Sequence, residues 1–205
     1  MIYRYQRMGL LLAVIFYLLG SFPSGALVGK AHGVVIWQHG SGNIGATNVS
    51  RVLGKKAGVY TLILDILKGF IPITVASALG ATVSNLGCLA LFLVLGHCIS
   101  LPPILKGGKG VATSLGTLLA LSPVVGLSTI PIFALTFWLS RIVSLASIVA
   151  AASMPVLAML LDGDTLDRAI SWLVAISITV VGRHYQNLQR LMIGTEPQFT
   201  FGDKK

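Results

Sequence analysis

Charged residues are scarce in this chain. Asp, Glu, Lys and Arg together make up 10% of its 205 residues, whereas a typical soluble domain carries about 25%. Hydrophobic residues make up 55% of the chain, and its mean hydropathy is +0.86. Because too few charges remain to cover a water-exposed surface, the composition excludes a cytosolic globular protein and indicates a polytopic membrane protein.

Acidic residues and cysteines are also rare. Six Asp and Glu stand against 15 Lys and Arg, which gives a net charge of +9. In a soluble protein this excess would suggest nucleic acid, but in a membrane protein it indicates cytoplasmic loops and anionic ligands, so we expect no nucleic-acid partner. The two cysteines, Cys88 and Cys98, would lie ~15 Å apart on a helix, which excludes a disulfide between them. They also lack the spacing of metal ligands.

Long apolar runs, by contrast, are abundant. They occupy residues 8–28, 57–79, 83–101, 110–140, 142–161 and about 166–182. Arg4 and Arg7 precede the first run, and a basic start followed by an apolar stretch is also typical of a cleavable signal peptide. The run is long enough to cross a membrane and further membrane segments follow it, so a retained first helix is the simpler interpretation.

The uncharged run at residues 110–140 admits two topologies. As one overlong helix it gives six spans, and the loop Lys and Arg then divide seven to seven between the two sides. Broken at Ser122 and Pro123 it gives seven spans, with eleven cations on one side, three on the other and Lys68 inside a span. Because cytoplasmic loops carry the excess of Lys and Arg, we predict an all-α integral membrane protein with seven transmembrane helices, an outside N-terminus, a cytoplasmic C-terminus and a site on the cytoplasmic face. Residues 1–205 are predicted to form one membrane domain.

The first polar loop, residues 39–51, combines glycines and alanine with hydroxyls, amides and a cation. Its small residues let backbone N–H groups converge on an anion, and Ser41, Thr47 and Arg51 add donors for phosphate oxygens. The alternative is a flexible polar loop in which Thr47 or Asn48 caps the N-terminus of a helix.

A second loop, residues 106–110, places two lysines among three glycines and leads directly into an apolar helix. The N-terminus of a helix with nearby lysines attracts anions. The loop is not a Walker A motif, because that motif requires Gly in place of Pro103 and Ser or Thr in place of Gly110. ATP binding is therefore not expected.

A third polar group follows the last apolar run, at residues 183–196. On a helix Arg183, His184 and Asn187 would face one pocket, because they are separated by three or four residues. Arg190 would lie a full turn beyond that face. The alternative is a basic juxtamembrane segment that binds lipid headgroups.

Three polar residues fall inside or at the end of spans. Asp65 and Lys68 lie one turn apart in the second span, where charges are costly unless they are paired or functional. We predict an internal ion pair that orients the helix rather than a proton relay, since a single carboxylate is available. His97, at the end of the third span, is expected to be a buried, hydrogen-bonded imidazole rather than a catalyst.

Together these segments resemble, in order, the bacterial PlsY family, the acyl-phosphate:glycerol-3-phosphate acyltransferases of the inner membrane. The resemblance covers essentially the whole chain, although Ile44 stands where Pro is common and Tyr185 replaces a frequent Arg. The matching segments are Gly20-Ser21-Phe22-Pro23-Ser24, Lys30, residues 39–58, Asp65 with Lys68-Gly69, Gly96-His97, residues 106–110 and residues 183–196.

The resemblance implies transfer of a fatty acyl group from acyl phosphate to the 1-hydroxyl of glycerol 3-phosphate, with no cofactor and no metal. The implied partners are acyl phosphate, glycerol 3-phosphate, membrane lipid and the enzyme that produces the acyl phosphate, and the implied location is the bacterial cytoplasmic (inner) membrane. The catalytic candidates are Ser41, Arg51, Lys109, His184 and Asn187. The candidates for binding substrate or phosphate are Gly42, Asn43, Gly45, Ala46, Thr47, Asn48, Lys106, Gly107, Gly108, Gly110, Arg183 and Glu196.

This chemistry suits the residue types. An acyl phosphate is already activated, so the protein must mainly neutralise phosphates, align the hydroxyl with the carbonyl and support the oxyanion. No catalytic pair of His and Asp is expected. The base is open between His184 and the substrate's own phosphate. A transporter or channel for organic phosphate is the competing class, but the anion-binding motifs lie at one face and not at the membrane midplane.

Overall fold

The computed structural model describes residues 2–99 and 107–199. Its regular structure is helical, which confirms the all-α prediction. The α-helices of the described residues are α1 (Ile2–Gly20), α2 (Ser24–Ala31), α3 (Ala46–Leu53), α4 (Lys55–Ala78), α5 (Val83–Cys98), α6 (Val111–Leu121), α7 (Pro123–Ser140), α8 (Val143–Leu166), α9 (Ile170–Gly182) and α10 (Tyr185–Met192). Short 3₁₀ turns lie at Ile36–Gln38 and Asp167–Ala169.

Several helices are apolar enough to lie in a membrane. Within the described residues, four segments are long and apolar enough to cross it, and they are Gly9–Ala31, Lys55–Ala78, Pro123–Ser140 and Val143–Gly182. Helices α5 and α6 are also apolar but shorter. Large apolar side chains such as Leu10 and Leu139 are 69% exposed on the outside of the bundle, as a lipid-facing surface requires.

The long apolar stretches are divided by local backbone breaks. Ser122 is extended, and Pro123 begins α7, where its missing N–H costs no helical hydrogen bond. The run at residues 110–140 is therefore two helices, with the break at the predicted position. The segment Val143–Gly182 is interrupted at Asp162, which has φ −153° and ψ 35°, and then by the second 3₁₀ turn. Its 40 residues correspond to ~60 Å of helix, twice the thickness of a bilayer core.

Glycines allow the closest contacts between helices. A Cβ added at Gly20 of α1 would lie 2.0 Å from the Leu93 carbonyl oxygen of α5, and one added at Gly96 would lie 2.0 Å from the Tyr17 carbonyl oxygen. Between α4 and α6, a Cβ at Gly116 would lie 2.1 Å from the Ile66 carbonyl oxygen. Small residues favour such backbone approach in membranes, where packing replaces the hydrophobic effect.

The buried core has two parts. The larger lies among α5, α6, α8 and α9 and includes Leu93, Leu118 and Leu173, each no more than 1% exposed. The smaller lies beneath the first polar loop, where Ile36 and Ile44 pack with Val49 and Ala57. This second cluster fixes the loop against α3 and α4, next to the polar residues of the candidate site.

Candidate active site

The first polar loop is organised by a buried asparagine. Asn48 is 2% exposed. Its side-chain oxygen accepts a hydrogen bond from the Ser41 amide at 2.8 Å, and its nitrogen donates to the carbonyls of Asn43 at 2.8 Å and His39 at 3.0 Å. Asn48 therefore shapes the loop from inside, and its role as a phosphate ligand stays a prediction.

Helix α3 begins after this loop, at Ala46, with Gly45 as the preceding cap residue. The alternative in which Thr47 or Asn48 caps the helix is therefore wrong. The amides of Gly42 and Gly45 are already bonded to His39 and to the Asn43 side chain. Among the described residues, the amides of Ala46 and Thr47 have no acceptor, so they remain open at the helix N-terminus.

The donors predicted in this loop point outward. Ser41, Thr47 and Arg51 are exposed, and none of their side chains has a hydrogen-bond partner in the described part of the chain. They are available to a ligand, in contrast to Asn48.

The second polar loop is seated on the end of α5. The Gly108 amide donates to the His97 carbonyl at 2.9 Å, and a Cβ at Gly107 would lie 2.1 Å from the Cys98 carbonyl oxygen. Gly110 has φ +84°, which glycine adopts without strain. Lys106 lies outside the described residues. The loop thus requires its glycines because it is packed tightly against another backbone.

The second and third polar groups meet at Lys109. Its Nζ donates to Asn187 Oδ1 at 2.6 Å, and Arg183 donates to the carbonyls of Gly108 and Gly107 at 3.3 and 3.4 Å. Helix α10 begins at Tyr185, so Arg183 and His184 lie in the turn before it and not on a continuous helix as predicted. The sequence motifs nevertheless come together, because Arg183 and Asn187 both reach the glycine-rich loop.

Glu196 holds the third group together. One of its oxygens accepts from Asn187 Nδ2 at 2.5 Å and from Ser144 at 2.6 Å, and the other accepts from Arg190 Nε at 2.7 Å. The sequence reasoning missed Ser144, which carries no motif, and it placed Arg190 beyond the site. Both are linked to Asn187 through this single carboxylate.

Burial and neighbouring charges shift the pKa values of three groups in the site. Burial lowers the pKa of Lys109 to about 8; the negative charge of Glu196 opposes this, and Arg190, Arg51 and Arg183 add to it. Burial lowers the pKa of His184 to about 4, against its hydrogen bond to the Val180 carbonyl. Burial by itself would raise the pKa of Glu196, but the hydrogen bonds from its three partners bring it below the usual value.

These interactions join all three polar groups. Arg51 comes from the first, Lys109 from the second, and Arg183 and Arg190 from the third, and the three arginines all act on the Lys109 ammonium. With Glu196 as the only carboxylate among these groups in the described residues, the site is strongly cationic. It suits a phosphate, which accepts charge-assisted hydrogen bonds from Arg and Lys. No group of three or more potential metal ligands occurs among the residues described.

Beneath the glycine-rich loop lies the predicted ion pair. Lys68 Nζ is 2.8 Å from Asp65 Oδ1, which confirms the internal pair. His97 is 5% exposed, and its Nδ1 is 2.7 Å from Lys68 Nζ, so it is the buried, hydrogen-bonded imidazole that was expected. Its Nδ1 also lies 3.7 Å from Asp65 Oδ1. His97 and Asp65 are thus neighbours, but Lys68 bonds to the ring nitrogen that faces Asp65, and the expectation of no catalytic pair of His and Asp stays a prediction.

Comparison with known proteins agrees with this site. A family model described as glycerol-3-phosphate acyltransferase matches residues 10–194. The chain belongs to this family. A glycerol-3-phosphate acyltransferase of Fusobacterium nucleatum subsp. nucleatum is 46% identical over 92% of this chain and 96% of its own length. One from Syntrophotalea carbinolica is 45% identical over 89% and 93%, respectively.

A solved structure extends the likeness to the fold. The crystal structure of PlsY, described as an integral membrane glycerol 3-phosphate acyltransferase in its glycerol 3-phosphate form, superposes with a TM-score of 0.87. It is 40% identical, and the match covers 94% of this chain and 96% of that one. The same protein in its lysophosphatidic acid form gives a TM-score of 0.86. The resemblance to the PlsY family is confirmed, and this member is a membrane acyltransferase.

Proposed function

We propose that this acyltransferase moves a fatty acyl group from acyl phosphate to the 1-hydroxyl of sn-glycerol 3-phosphate, which yields lysophosphatidic acid and phosphate. The observation that carries the proposal is the Lys109 ammonium, which donates to Asn187 and lies within electrostatic range of Arg51, Arg183 and Arg190. The PlsY structures, with glycerol 3-phosphate in one and lysophosphatidic acid in the other, support the same acceptor and product here.

Phosphate binding would use two kinds of donor. Arg51 and Lys109 supply charge, while the free hydroxyls of Ser41 and Thr47 and the open amides at the start of α3 supply direction. Arg183 and Asn187 act by holding the glycine-rich loop and the Lys109 side chain. Glu196 is the acceptor that keeps Asn187 in place, which explains how a carboxylate can serve a site for anions.

In the acyl transfer step, the acceptor hydroxyl oxygen attacks the acyl carbonyl carbon and forms a tetrahedral oxyanion. Collapse of this intermediate breaks the bond to the phosphate oxygen, which leaves with the bonding electron pair. Because phosphate is a good leaving group, alignment of the hydroxyl with the carbonyl and neutralisation of the phosphate charges account for most of the rate acceleration. The hydroxyl proton passes to a base.

Two acceptors are available for that proton. The Nδ1–H of His184 donates to the Val180 carbonyl at 2.7 Å, so the lone pair of Nε2 is open. With a pKa of about 4, however, this imidazole is a weaker base than a phosphate monoester, whose second pKa is about 6. We therefore favour the substrate phosphate. A loss of more than about 10⁴-fold in kcat for His184→Gln, the upper range of general-base catalysis, would instead identify His184 as the base.

The proposal places this site at the cytoplasmic end of seven membrane-spanning helices in the bacterial inner membrane. Its support is the loop charge asymmetry together with two backbone breaks. Those breaks separate α6 from α7 and α8 from α9. Contacts of residues 107–109 and 144 with residues 183–196 bring alternate loops to one end, as an up-and-down bundle requires. The acyl chain of the donor would then lie between helices, entering from the bilayer.

The test is a donor comparison with purified protein in lipid vesicles. Glycerol 3-phosphate is supplied with acyl phosphate, acyl-CoA or acyl carrier protein in turn, each with excess chelator, and both acyl product and released phosphate are measured. We expect product from acyl phosphate alone and no effect of the chelator. The thiolate released from a thioester is a poorer leaving group than phosphate. His97 cannot activate the hydroxyl against it, because Lys68 donates to Nδ1 and the ring proton then lies on Nε2.

Comparable rates with acyl-CoA, or activity restored only by a divalent metal, would refute the proposed mechanism. Flux of glycerol 3-phosphate across the vesicle membrane without acyl product would identify a transporter instead.

A further inference from the structure

Lys68 has three close polar neighbours within the membrane domain. Its ammonium lies 2.8 Å from Asp65 Oδ1, 2.9 Å from the Phe22 carbonyl oxygen and 2.7 Å from His97 Nδ1. An ammonium donates and does not accept, so it donates to the Phe22 carbonyl and to His97 Nδ1, and it forms an ion pair with the Asp65 carboxylate. Since Lys68 donates to Nδ1, the remaining proton of the neutral imidazole must lie on Nε2.

The other edge of the same ring faces the glycine-rich loop. A Cβ added at Gly108 would lie 2.0 Å from His97 Nε2, so the ring edge rests on the Gly108 Cα. The Gly108 amide also donates to the His97 carbonyl at 2.9 Å. Gly108 is thus held by the ring and the backbone of one residue, and Lys109 is the next residue along the chain.

We propose that Asp65, Lys68 and His97 form a positioning network for Lys109. Asp65 and Lys68 fix the tautomer and orientation of the His97 ring, and the ring holds Gly108 so that the Lys109 side chain reaches Asn187. None of the three network residues touches the substrate. This inference rests on the proposed function, because it assigns Lys109 to the phosphate of the reaction.

The experiment is a double-mutant cycle between His97 and Lys109. His97→Asn keeps an acceptor for Lys68 but withdraws the ring edge from Gly108. It should lower kcat/KM by roughly tenfold or more, up to the loss measured for Lys109→Ala, because a misplaced ammonium cannot cost more than a missing one. In a Lys109→Ala background the same change should cost less than about twofold, because the group it positions is already absent. The exposed His32, whose Nδ1 bonds to Val28 one turn away, provides the matched control, and His32→Ala should leave the rate unchanged.

A wild-type rate in His97→Asn, or equal losses in both backgrounds, would overturn the inference. Hydrogen–deuterium exchange of the peptide that contains residues 107–110 gives a readout that does not need turnover. His97→Asn should accelerate exchange there, whereas His32→Ala should not. If the wild type has no acyltransferase activity but His97→Asn still accelerates exchange, the proposed function fails and the coupling of His97 to the loop stands. If the wild type is active and His97→Asn leaves exchange unchanged, the positioning network is wrong.

Discussion

At the residue scale, the two buried histidines of the chain are held in opposite tautomers. His184 donates its Nδ1–H to the Val180 carbonyl, which leaves the lone pair on Nε2, the other nitrogen of the ring. His97 accepts from Lys68 at Nδ1, which leaves a proton on Nε2. One imidazole can accept a hydrogen bond or a proton from a ligand and the other cannot. The sequence shows only that both are histidines, since the partner of each nitrogen comes from the fold.

The pKa of Lys109 predicts an alkaline limit to activity. Its ammonium begins to lose its proton near pH 8, and in the proposed mechanism phosphate binds the charged form. We therefore expect kcat/KM to fall as the pH rises through about 8, whereas kcat should hold to higher pH because bound phosphate stabilises the ammonium. Lys109→Arg, which stays charged, should move the limit of its residual activity upward. An unchanged limit in that variant would show that another group causes it.

Arg51 and Lys109, the two cations that the proposed mechanism assigns to substrate phosphate, should matter most for turnover. Arg51→Ala and Lys109→Ala are each expected to lower kcat/KM by roughly ten- to 150-fold, since one charge-assisted hydrogen bond contributes about 1.5–3 kcal/mol. Arg168→Ala removes an equal charge from an exposed residue of the second 3₁₀ turn and should have little effect. A wild-type rate in Arg51→Ala or Lys109→Ala would remove that residue from the site, provided that the variant inserts normally in the membrane.

At the scale of elements, apolar length predicted the helices but not all their ends. The first run, residues 8–28, is divided in the structure because α1 ends at Gly20 and α2 begins after Pro23. The break at Pro123 was readable from proline chemistry. The shape of the first loop was not, because the bonds of Asn48 to the loop exist only in the folded arrangement, in which α3 packs over the Ile36 and Ile44 cluster. Tertiary hydrogen bonds of this kind leave no local sequence pattern.

Glu196 joins α8 to α10, so its removal should affect stability as well as rate. Glu196→Ala leaves the buried Asn187 amide without its acceptor, and we expect a loss of about 1–3 kcal/mol in the free energy of unfolding; the ion pair with Arg190, which is 39% exposed, adds little because it is screened by solvent. The pKa of Glu196 is lowered in the fold, so the stability it contributes is fully present above about pH 4.3, the ordinary pKa of Glu, and is lost as the pH falls through the lowered pKa. Thermal unfolding of wild type and Glu196→Ala measures the loss of stability. The same measurement on wild type and Glu196→Gln at several pH values measures the pH dependence, because Gln cannot ionise. Asp164→Asn, at an exposed carboxylate, is the control, and equal stability of Glu196→Ala and wild type would contradict the prediction.

At the scale of the whole molecule, the site is assembled from four separated segments. Arg51, Lys109, Ser144 and Asn187 each come from a different part of the chain, and apolar helices lie between them. Three of these segments carry glycine-rich or basic motifs, so the sequence reveals the parts of the candidate anion site. It does not reveal Ser144, because a serine in an apolar helix is common and only the fold brings it 2.6 Å from Glu196.

The arrangement of these segments makes a prediction about topology. If alternate loops meet at the cytoplasmic end, single cysteines at the exposed positions Lys56 and Gln186 should react with a membrane-impermeant thiol reagent from the cytoplasmic side, and one at the exposed Asp164 should react from outside. The background lacks both native cysteines, through Cys88→Ala and Cys98→Ala, and its acyltransferase activity is checked first because Cys98 packs beside Gly110. The charge asymmetry of the loops gives the orientation, since cytoplasmic loops hold the excess of Lys and Arg. Labelling of positions 56 and 186 from opposite sides would exclude the seven-span bundle, and with it a site that joins Arg51 to Lys109 at one face.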